Sequence, residues 1–188
     1  MMRMLLLLFV ASATLSSQVL AEEVCKSRQL KNPAPTLAEI YAMAQADAKA
    51  WKADVVPASI GNTSLGPLQP NGSSAAWNVV FYSEGAKATV SVNTFRGTYR
   101  CAAEPGPAGR IPELKPDFMR DGSRLYALAK ERGEALLGQG YTVMIGTAAA
   151  PSTRHATWYI NYNKDNRNGN VTVIVDANSG VVEMVLKD

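Results

Sequence analysis

The sequence predicts an α+β protein made of two tandem repeats, each with one helix packed on a four-stranded antiparallel sheet. Three features occur twice in the same order: an amphipathic segment of helical period, an Ile-Gly pair, and an apolar alternation that begins with tryptophan. Equivalent positions lie 81 to 85 residues apart. Repetition at a nearly constant spacing indicates a duplicated supersecondary unit.

Each repeat begins with a helix, which we expect from about residue 36 to residue 53 in the first copy. Thr36 and the glutamate three residues later match a capping box, and apolar residues then recur at helical spacing. In the second copy Asp121 takes the place of Thr36. Ala48 and Gly133 are equivalent, and a small residue in both helices indicates that the helix backbone lies close to the sheet.

Four strands are expected after each helix. Trp77 and Trp158 each start an alternation of apolar and more polar residues, which is the pattern of a strand with one buried face. The same alternation continues in a valine-rich strand and in a final strand after a glycine turn. The expected strands lie near Val55 to Ile60, Trp77 to Tyr82, Val90 to Asn93 and Thr98 to Cys101, and near Tyr141 to Ile145, Trp158 to Asn163, Val173 to Asp176 and Val181 to Leu186.

These patterns divide the chain into five segments. We expect a signal peptide over residues 1–21, an N-terminal arm over 22–35, the first repeat over 36–103, a linker rich in proline and glycine over 104–116, and the second repeat over 117–188.

The first 21 residues have the pattern of a secretory signal. Arg3 precedes an apolar run, and the segment closes on Val19-Leu20-Ala21, which suits cleavage after Ala21. Polar residues interrupt the run before it reaches the length of a membrane span, so no stable membrane anchor is expected. We therefore expect a periplasmic or secreted protein.

The chain contains two cysteines, Cys25 and Cys101. In an exported chain an even count favours a disulfide, and these residues form the only available pair. A redox role has less support, because the sequence contains no Cys-x-x-Cys. The two acids shortly before Cys25 do not suit processing to a lipid-modified terminus.

The charge pattern argues against a nucleic-acid partner. Without the signal segment, whose one charge is Arg3, the formal net charge falls from +3 to +2. The basic residues are scattered, whereas binding to nucleic acid or to an acidic membrane surface requires them to cluster.

The second repeat resembles the PepSY domain. The resemblance is best from Leu125 to Leu186 and includes Val173 to Val182, which is similar to the Val-Asp-x-x-Thr/Ser-Gly-x-Val sequence of the final PepSY hairpin. The first copy departs from it, with Asn93 at the place of the aspartate. The resemblance implies a PepSY/cystatin-like layout of helix and sheet. It also implies binding or restraint of peptidases, and it carries no catalytic residue over.

No catalytic residue, cofactor or metal ligand is predicted. His155 is the one histidine, and no Gly-x-Ser-x-Gly motif accompanies it. The segment from Asp165 to Asn170 resembles a calcium loop only superficially, because Arg167 stands at a ligand position. Asn168-Gly169 is instead expected to form a type I′ hairpin turn.

The outer face of the second sheet is the candidate partner site. By the strand alternation, this face carries four apolar or aromatic residues: Tyr159, Ile174, Val181 and Val185. An uncovered sheet face that is this apolar is typical of a contact surface. Packing of the two repeats on each other, or of two copies in a homodimer, is an equally good explanation.

We therefore expect a non-catalytic exported binding module. Its partner is expected to be a peptidase, another envelope protein, or a second copy of the chain. Two alternatives remain open: a two-repeat enzyme inhibitor with the layout of the β-lactamase inhibitory protein, and a small periplasmic hydrolase built on acidic residues and His155.

Overall fold

The computed structural model describes residues 22–106, 114–115, 117–148 and 156–187. The expected signal segment, most of the expected linker and His155 lie outside these residues. In chain order the elements are β1 (Glu22–Gln29), α1 (Leu37–Trp51), β2 (Val56–Asn62), β3 (Trp77–Ser83), β4 (Ala88–Phe95), β5 (Thr98–Pro105), α2 (Gly122–Gly138), β6 (Thr142–Ala148), β7 (Thr157–Lys164), β8 (Arg167–Asp176) and β9 (Val182–Lys187).

All the described strands belong to one nine-stranded sheet in the order β1-β5-β4-β3-β2-β6-β7-β8-β9. Every neighbouring pair is antiparallel. The predicted fold of two repeats, each with its own four-stranded sheet, is therefore wrong. Two pairings produce the difference: β2 of the first half pairs with β6 of the second, and the expected N-terminal arm supplies β1 beside β5. Alternation within a strand predicts its buried face but does not predict its neighbour.

Both helices contribute to one hydrophobic core on the same face of this sheet. The predicted capping box of α1 is present, with the Thr36 hydroxyl accepting from the Glu39 amide and the Glu39 carboxylate accepting from the Thr36 amide. Asp121 caps α2 by accepting from the Arg124 amide at 3.0 Å. Each cap satisfies N–H groups that the first helical turn leaves without a partner.

The two tryptophans occupy equivalent buried positions, as predicted. Trp77 is 1% exposed and Trp158 is 0% exposed. The indole of Trp77 donates to the Pro35 carbonyl at 2.9 Å, and that of Trp158 donates to the Met119 carbonyl at 3.0 Å. Each acceptor lies just before its own helix, so each indole links a strand to the start of a helix.

The predicted close approach of helix and sheet is also confirmed. Ala48 is fully buried, and a β-carbon at Gly133 would overlap the ring of Tyr162. The Tyr162 hydroxyl donates to the Ala129 carbonyl of the same helix at 2.6 Å. A glycine in α2 therefore makes room for a large ring beneath it.

Of the two hairpin turns described in the second half, one lies where the sequence predicts it and the other does not. The turn between β7 and β8 is formed by Asp165 and Asn166, both with positive φ, so the turn predicted at Asn168-Gly169 is wrong. Those two residues lie inside β8. At the next turn, Asp176 accepts from the Ser179 amide at 2.6 Å and Gly180 has a φ of +69°, as its Asp-x-x-Ser-Gly sequence predicts.

Candidate functional site

The candidate site lies on the sheet face opposite the helices, which we call the open face. Within the described part of the chain, neither helix packs on this face. Register places one row of its residues across the second half of the sheet: Gly146 pairs with Tyr159, Tyr159 with Ile174, and Ile174 with Met184. We call Tyr159, Ile174 and Met184 the apolar row.

Exposed apolar side chains concentrate at the β9 end of this face. Among the described residues, five large hydrophobic side chains are exposed, and three of them lie on β9 or at the turn before it: Val181 at 59%, Met184 at 52% and Leu186 at 45%. Leu186 pairs with Thr172 beside the apolar row. Side chains of this kind contribute binding energy when a partner removes them from water.

The structure places the four residues of the predicted partner face in different positions. Tyr159 and Ile174 are half-buried in the apolar row, and Val181 is exposed in the turn before β9. Val185 instead pairs with the fully buried Val173 and packs against the core on the helix side. Val185 therefore does not belong to the open face.

A β-bulge explains why Val185 lies on the helix side. Ile174 pairs with Met184 while Val175 pairs with Val182, so Glu183 is an extra residue in β9. One extra residue reverses the faces of all the residues that follow it. Met184 and Leu186 therefore reach the open face, although simple alternation from Val181 assigns them to the core. From Val182 to Leu186 every residue except Glu183 is apolar. The pattern therefore fits either face assignment and does not predict the bulge.

The open face of the first half is polar by comparison. Asn78 donates to the Asn93 side chain at 2.8 Å, and Asn93 pairs with the exposed Arg100 in the next strand. Ser91 pairs with Val80 on the same face. Apart from Phe95, which is 41% exposed at the end of β4, the exposed large apolar side chains of this face lie in the second half.

The two halves of the sheet meet at Gly61 and Gly146, which form the one residue pair between β2 and β6. Side chains replace the ladder on both sides of this pair. The Ile60 amide donates to the Thr147 hydroxyl at 2.9 Å, and the Ile145 amide donates to the Asn62 side-chain oxygen at 2.7 Å. These reciprocal bonds relate the two Ile-Gly pairs of the sequence by an approximate two-fold axis.

A shallow cleft of about 310 Å³ lies over this junction, and its lining includes Gly146, which pairs with Tyr159 of the apolar row. A β-carbon at Gly61 would lie 2.8 Å from the Ile145 carbonyl oxygen, whereas one at Gly146 would meet nothing within 4 Å. Asn78 and Asn161 stand on opposite sides of the cleft, and no charged residue lines it among those described. The cleft therefore offers neutral polar side chains and backbone groups.

The N-terminal strand is held to the fold by a disulfide and a charged cluster. Cys25 and Cys101 form the disulfide that the cysteine count predicts. Arg28 donates to Asp47 of α1 at 2.7 Å, and Tyr99 of β5 donates to the same carboxylate at 2.5 Å. Burial is the largest cause that raises the pKa of Tyr99 well above the usual value, and the hydrogen bond to Asp47 is the second. The disulfide is compatible with an exported protein.

Within the described ranges, no group of three or more histidines, cysteines, aspartates or glutamates is placed to hold a metal ion. None of the helices described is long and apolar enough to cross a membrane.

No protein-family model and no curated protein matches the chain. Among solved structures, the fold is similar to that of a predicted lipoprotein from Clostridium difficile 630, with a TM-score of 0.51 and 14% sequence identity. The alignment covers 79% of this chain and 92% of that chain. A likeness at this identity shows a shared fold and does not transfer an activity.

Proposed function

We propose that the protein is a non-catalytic exported binding module that contacts another exported protein through the β9 end of its open face. The observation that carries this proposal is the exposure of Met184 in the apolar row and of Val181 and Leu186 beside it. Exposed apolar side chains are unfavourable in water. Their burial by a partner contributes favourable free energy to binding.

Export is supported by three features. The first 21 residues have the pattern of a signal peptide, and we include cleavage after Ala21 in the proposal. The disulfide requires an oxidising compartment to persist. The similar fold from Clostridium difficile belongs to a predicted lipoprotein, although lipid attachment is not proposed for this chain because Cys25 is bonded to Cys101.

The chemistry of the surface defines the partner. The apolar row is uncharged, so the partner should present an apolar and weakly charged surface. The resemblance of the segment from Val173 to Val182 to the PepSY hairpin makes an exported peptidase the first candidate, since PepSY-like modules are thought to bind or restrain peptidases.

The test is affinity capture from the exported fraction with the protein purified after export. Ile174→Asp places a charge in the centre of the apolar row and should reduce recovery of the partner at least tenfold. Ser91→Asp, on the open face of the first half, is the matched control and should leave recovery unchanged. Circular dichroism checks that both variants fold.

Two results would overturn the proposal. Equal recovery of the same partner by the Ile174→Asp variant would show that this face is not the interface. Recovery of no exported protein by the wild-type chain, after crosslinking, would remove the binding function itself. If the captured protein is a peptidase, its activity with and without the purified chain then shows whether binding restrains it.

A further inference from the structure

We propose that the cleft over the junction of β2 and β6 receives one tyrosine side chain of the partner protein. This inference rests on the proposed function and deepens it, because it names the residue type that the partner inserts and the place on the open face where that residue lies. The cleft can also be probed with a small tyrosine derivative. The inference and the proposed function can therefore fail separately.

The cleft lies at a gap in one row of side chains on the open face. Strand pairing extends this row across eight of the nine strands, through Arg100, Asn93, Asn78, Gly61, Gly146, Tyr159, Ile174 and Met184. The two adjacent glycines leave no side chain between Asn78 and Tyr159. Neighbouring strands lie about 4.8 Å apart, so the backbones at the two ends of the gap are about 14 Å from each other. A gap of this length accommodates one aromatic ring.

Gly146 has no structural reason within the chain to lack a side chain. Its φ is not positive, and a β-carbon at this position would meet nothing within 4 Å. Gly61 differs, because its β-carbon would lie 2.8 Å from the Ile145 carbonyl oxygen. Glycine weakens the interior of a strand, and there it often marks a place where another group approaches the backbone closely. An occupant from outside the chain therefore explains Gly146.

The uncovered glycine favours an aromatic occupant. In antiparallel sheets, an aromatic side chain paired with a glycine stabilises the strand by covering it. Tyr159 is paired with Gly146, yet none of its atoms lies within 4 Å of the position of a β-carbon there. The chain therefore leaves open a place that an aromatic ring from the partner can cover.

Two carboxamides favour tyrosine among the aromatic residues. Asn78 and Asn161 line the cleft on opposite sides. Each is oriented by one hydrogen bond, Asn78 to the Asn93 side chain at 2.8 Å and Asn161 to the Thr172 hydroxyl at 2.9 Å. The other end of each amide has no partner among the described residues. Tyrosine has a hydroxyl at one end of its ring and a main-chain amide at the other, so each can bond to one carboxamide.

The charge and size of the cleft suit a single neutral side chain. Among the described residues no charged group lines the cleft, so nothing there offsets the cost of removing a charge from water. Its volume of about 310 Å³ is at the lower end of the range for ligand sites. Beyond Tyr159 the row continues to Ile174 and Met184, which can contact the residues that flank the tyrosine in the partner. Tyrosines that fill such pockets contribute much of the binding energy of an interface.

The experiment titrates the protein purified after export with N-acetyl-tyrosinamide and follows its amide groups by NMR. We expect saturable shifts at Gly61, Gly146 and the side chains of Asn78 and Asn161. The dissociation constant should be about 1 to 10 mM, as for other ligands of this size. N-acetyl-leucinamide has the same amides without the ring and should bind at least about fivefold more weakly. Methyl glucoside, a neutral ligand rich in hydroxyl groups, should give no saturable shift.

Gly146→Val tests the position, because it fills the cleft with a residue that suits a strand. It should weaken binding of N-acetyl-tyrosinamide about tenfold or more, and lower recovery of the partner in the capture experiment by a similar factor. Gly146→Ala should have a smaller effect of the same sign, and it replaces the valine variant if that chain does not fold. Gly138→Val is the matched control in α2, where a β-carbon also meets nothing within 4 Å, and it should change neither measurement. Circular dichroism checks the folding of each variant.

Three results contradict the inference: no saturable shift with N-acetyl-tyrosinamide up to about 20 mM, unchanged binding in the Gly146 variants, or binding of the leucine derivative or the glucoside that is equally tight. Normal recovery of the partner by a Gly146→Val chain that no longer binds N-acetyl-tyrosinamide would exclude a tyrosine of the partner from the cleft. In each of these cases, loss of recovery by Ile174→Asp would still support the proposed function.

Discussion

At the scale of single residues, small side chains decide how closely the layers of this protein approach. Gly133 lies over the ring of Tyr162, and Ala48 occupies the equivalent place in the first helix. Large side chains fill the same layer. The indoles of Trp77 and Trp158 each donate a hydrogen bond to a backbone carbonyl just before a helix. At Gly133, the small residue of the helix therefore matches a large ring of the sheet.

We expect Gly133→Ala to destabilise the protein by about 1 to 3 kcal/mol, because the new methyl group overlaps the Tyr162 ring and forces a shift in a packed core. Gly138→Ala is the control in the same helix, since a β-carbon there meets nothing within 4 Å. The control should be neutral or stabilising by up to about 1 kcal/mol. Urea denaturation of both variants checks this, and equal stabilities would contradict the placement of α2.

Tyr162 should make stability depend on alkaline pH. Burial raises its pKa to about 12 in the folded protein, whereas an unfolded tyrosine titrates near 10. The folded state therefore holds its proton more tightly, and the contribution is complete below about pH 10 and is lost as the pH rises toward 12.

Tyr162→Phe tests this dependence. At neutral pH the variant should be less stable by about 1 kcal/mol, because it lacks the hydrogen bond to the Ala129 carbonyl. The difference should shrink as urea denaturation is repeated from about pH 8 to about pH 11, since only the wild type loses stability through this group. A difference that stays constant over that range would show that Tyr162 does not titrate as expected.

At the scale of elements, the edges of the sheet differ most in how they are held. β1 is joined to β5 by the disulfide and to α1 through Arg28 and Asp47. Within the described part of the chain, β9 has a single neighbouring strand, and it contains a bulge at Glu183. The β1 edge is therefore fixed covalently to the rest of the sheet.

Replacing both Cys25 and Cys101 by serine should destabilise the protein by about 4 kcal/mol, because the disulfide closes a loop of 76 residues in the unfolded chain. Chemical denaturation of the wild type under reducing conditions should show a similar loss. Thiol titration of the unfolded, unreduced wild type should detect no free thiol. Two titratable thiols per chain would contradict the disulfide in the exported protein.

At the scale of the whole molecule, two similar halves share one sheet and one core. Across the sheet they meet at Gly61 and Gly146. In the core, Phe118 lies between them, 5.1 Å from the Tyr41 ring and 6.1 Å from the Trp158 ring by centroid. Contacts in the sheet and in the core join the halves. We therefore expect a substitution at the junction to change the stability of the whole fold.

The two junction glycines should respond differently to substitution although they are equivalent in the repeat. Gly61→Ala should destabilise the protein by about 1 to 3 kcal/mol, because the methyl group meets the Ile145 carbonyl and the Gly146 backbone. Gly146→Ala projects into the open cleft and should change stability by less than about 1 kcal/mol. Calorimetry measures both, and a larger loss from Gly146→Ala would contradict the geometry of the junction.

Local patterns were sufficient to predict much of the fold. The capping box at Thr36, the burial of both tryptophans, the Asp176 turn and the Cys25–Cys101 pair all follow from residues close in sequence or from a count of two. Each depends on chemistry that a short segment or a single pair carries by itself. Part of the candidate site was predicted in the same way, since Tyr159 and Ile174 lie in strands whose alternation is unbroken at those positions.

Only the tertiary structure decided how the strands are joined and which face β9 presents. The pairing of Gly61 with Gly146 connects residues 85 positions apart, and no local pattern records which strand edges meet. The extra residue at Glu183 reverses the faces of Met184, Val185 and Leu186 because side chains alternate along a strand with a period of two. By itself the sequence determined both helices and most of the strands, whereas the continuous sheet and its apolar edge arise from contacts between segments far apart in the chain.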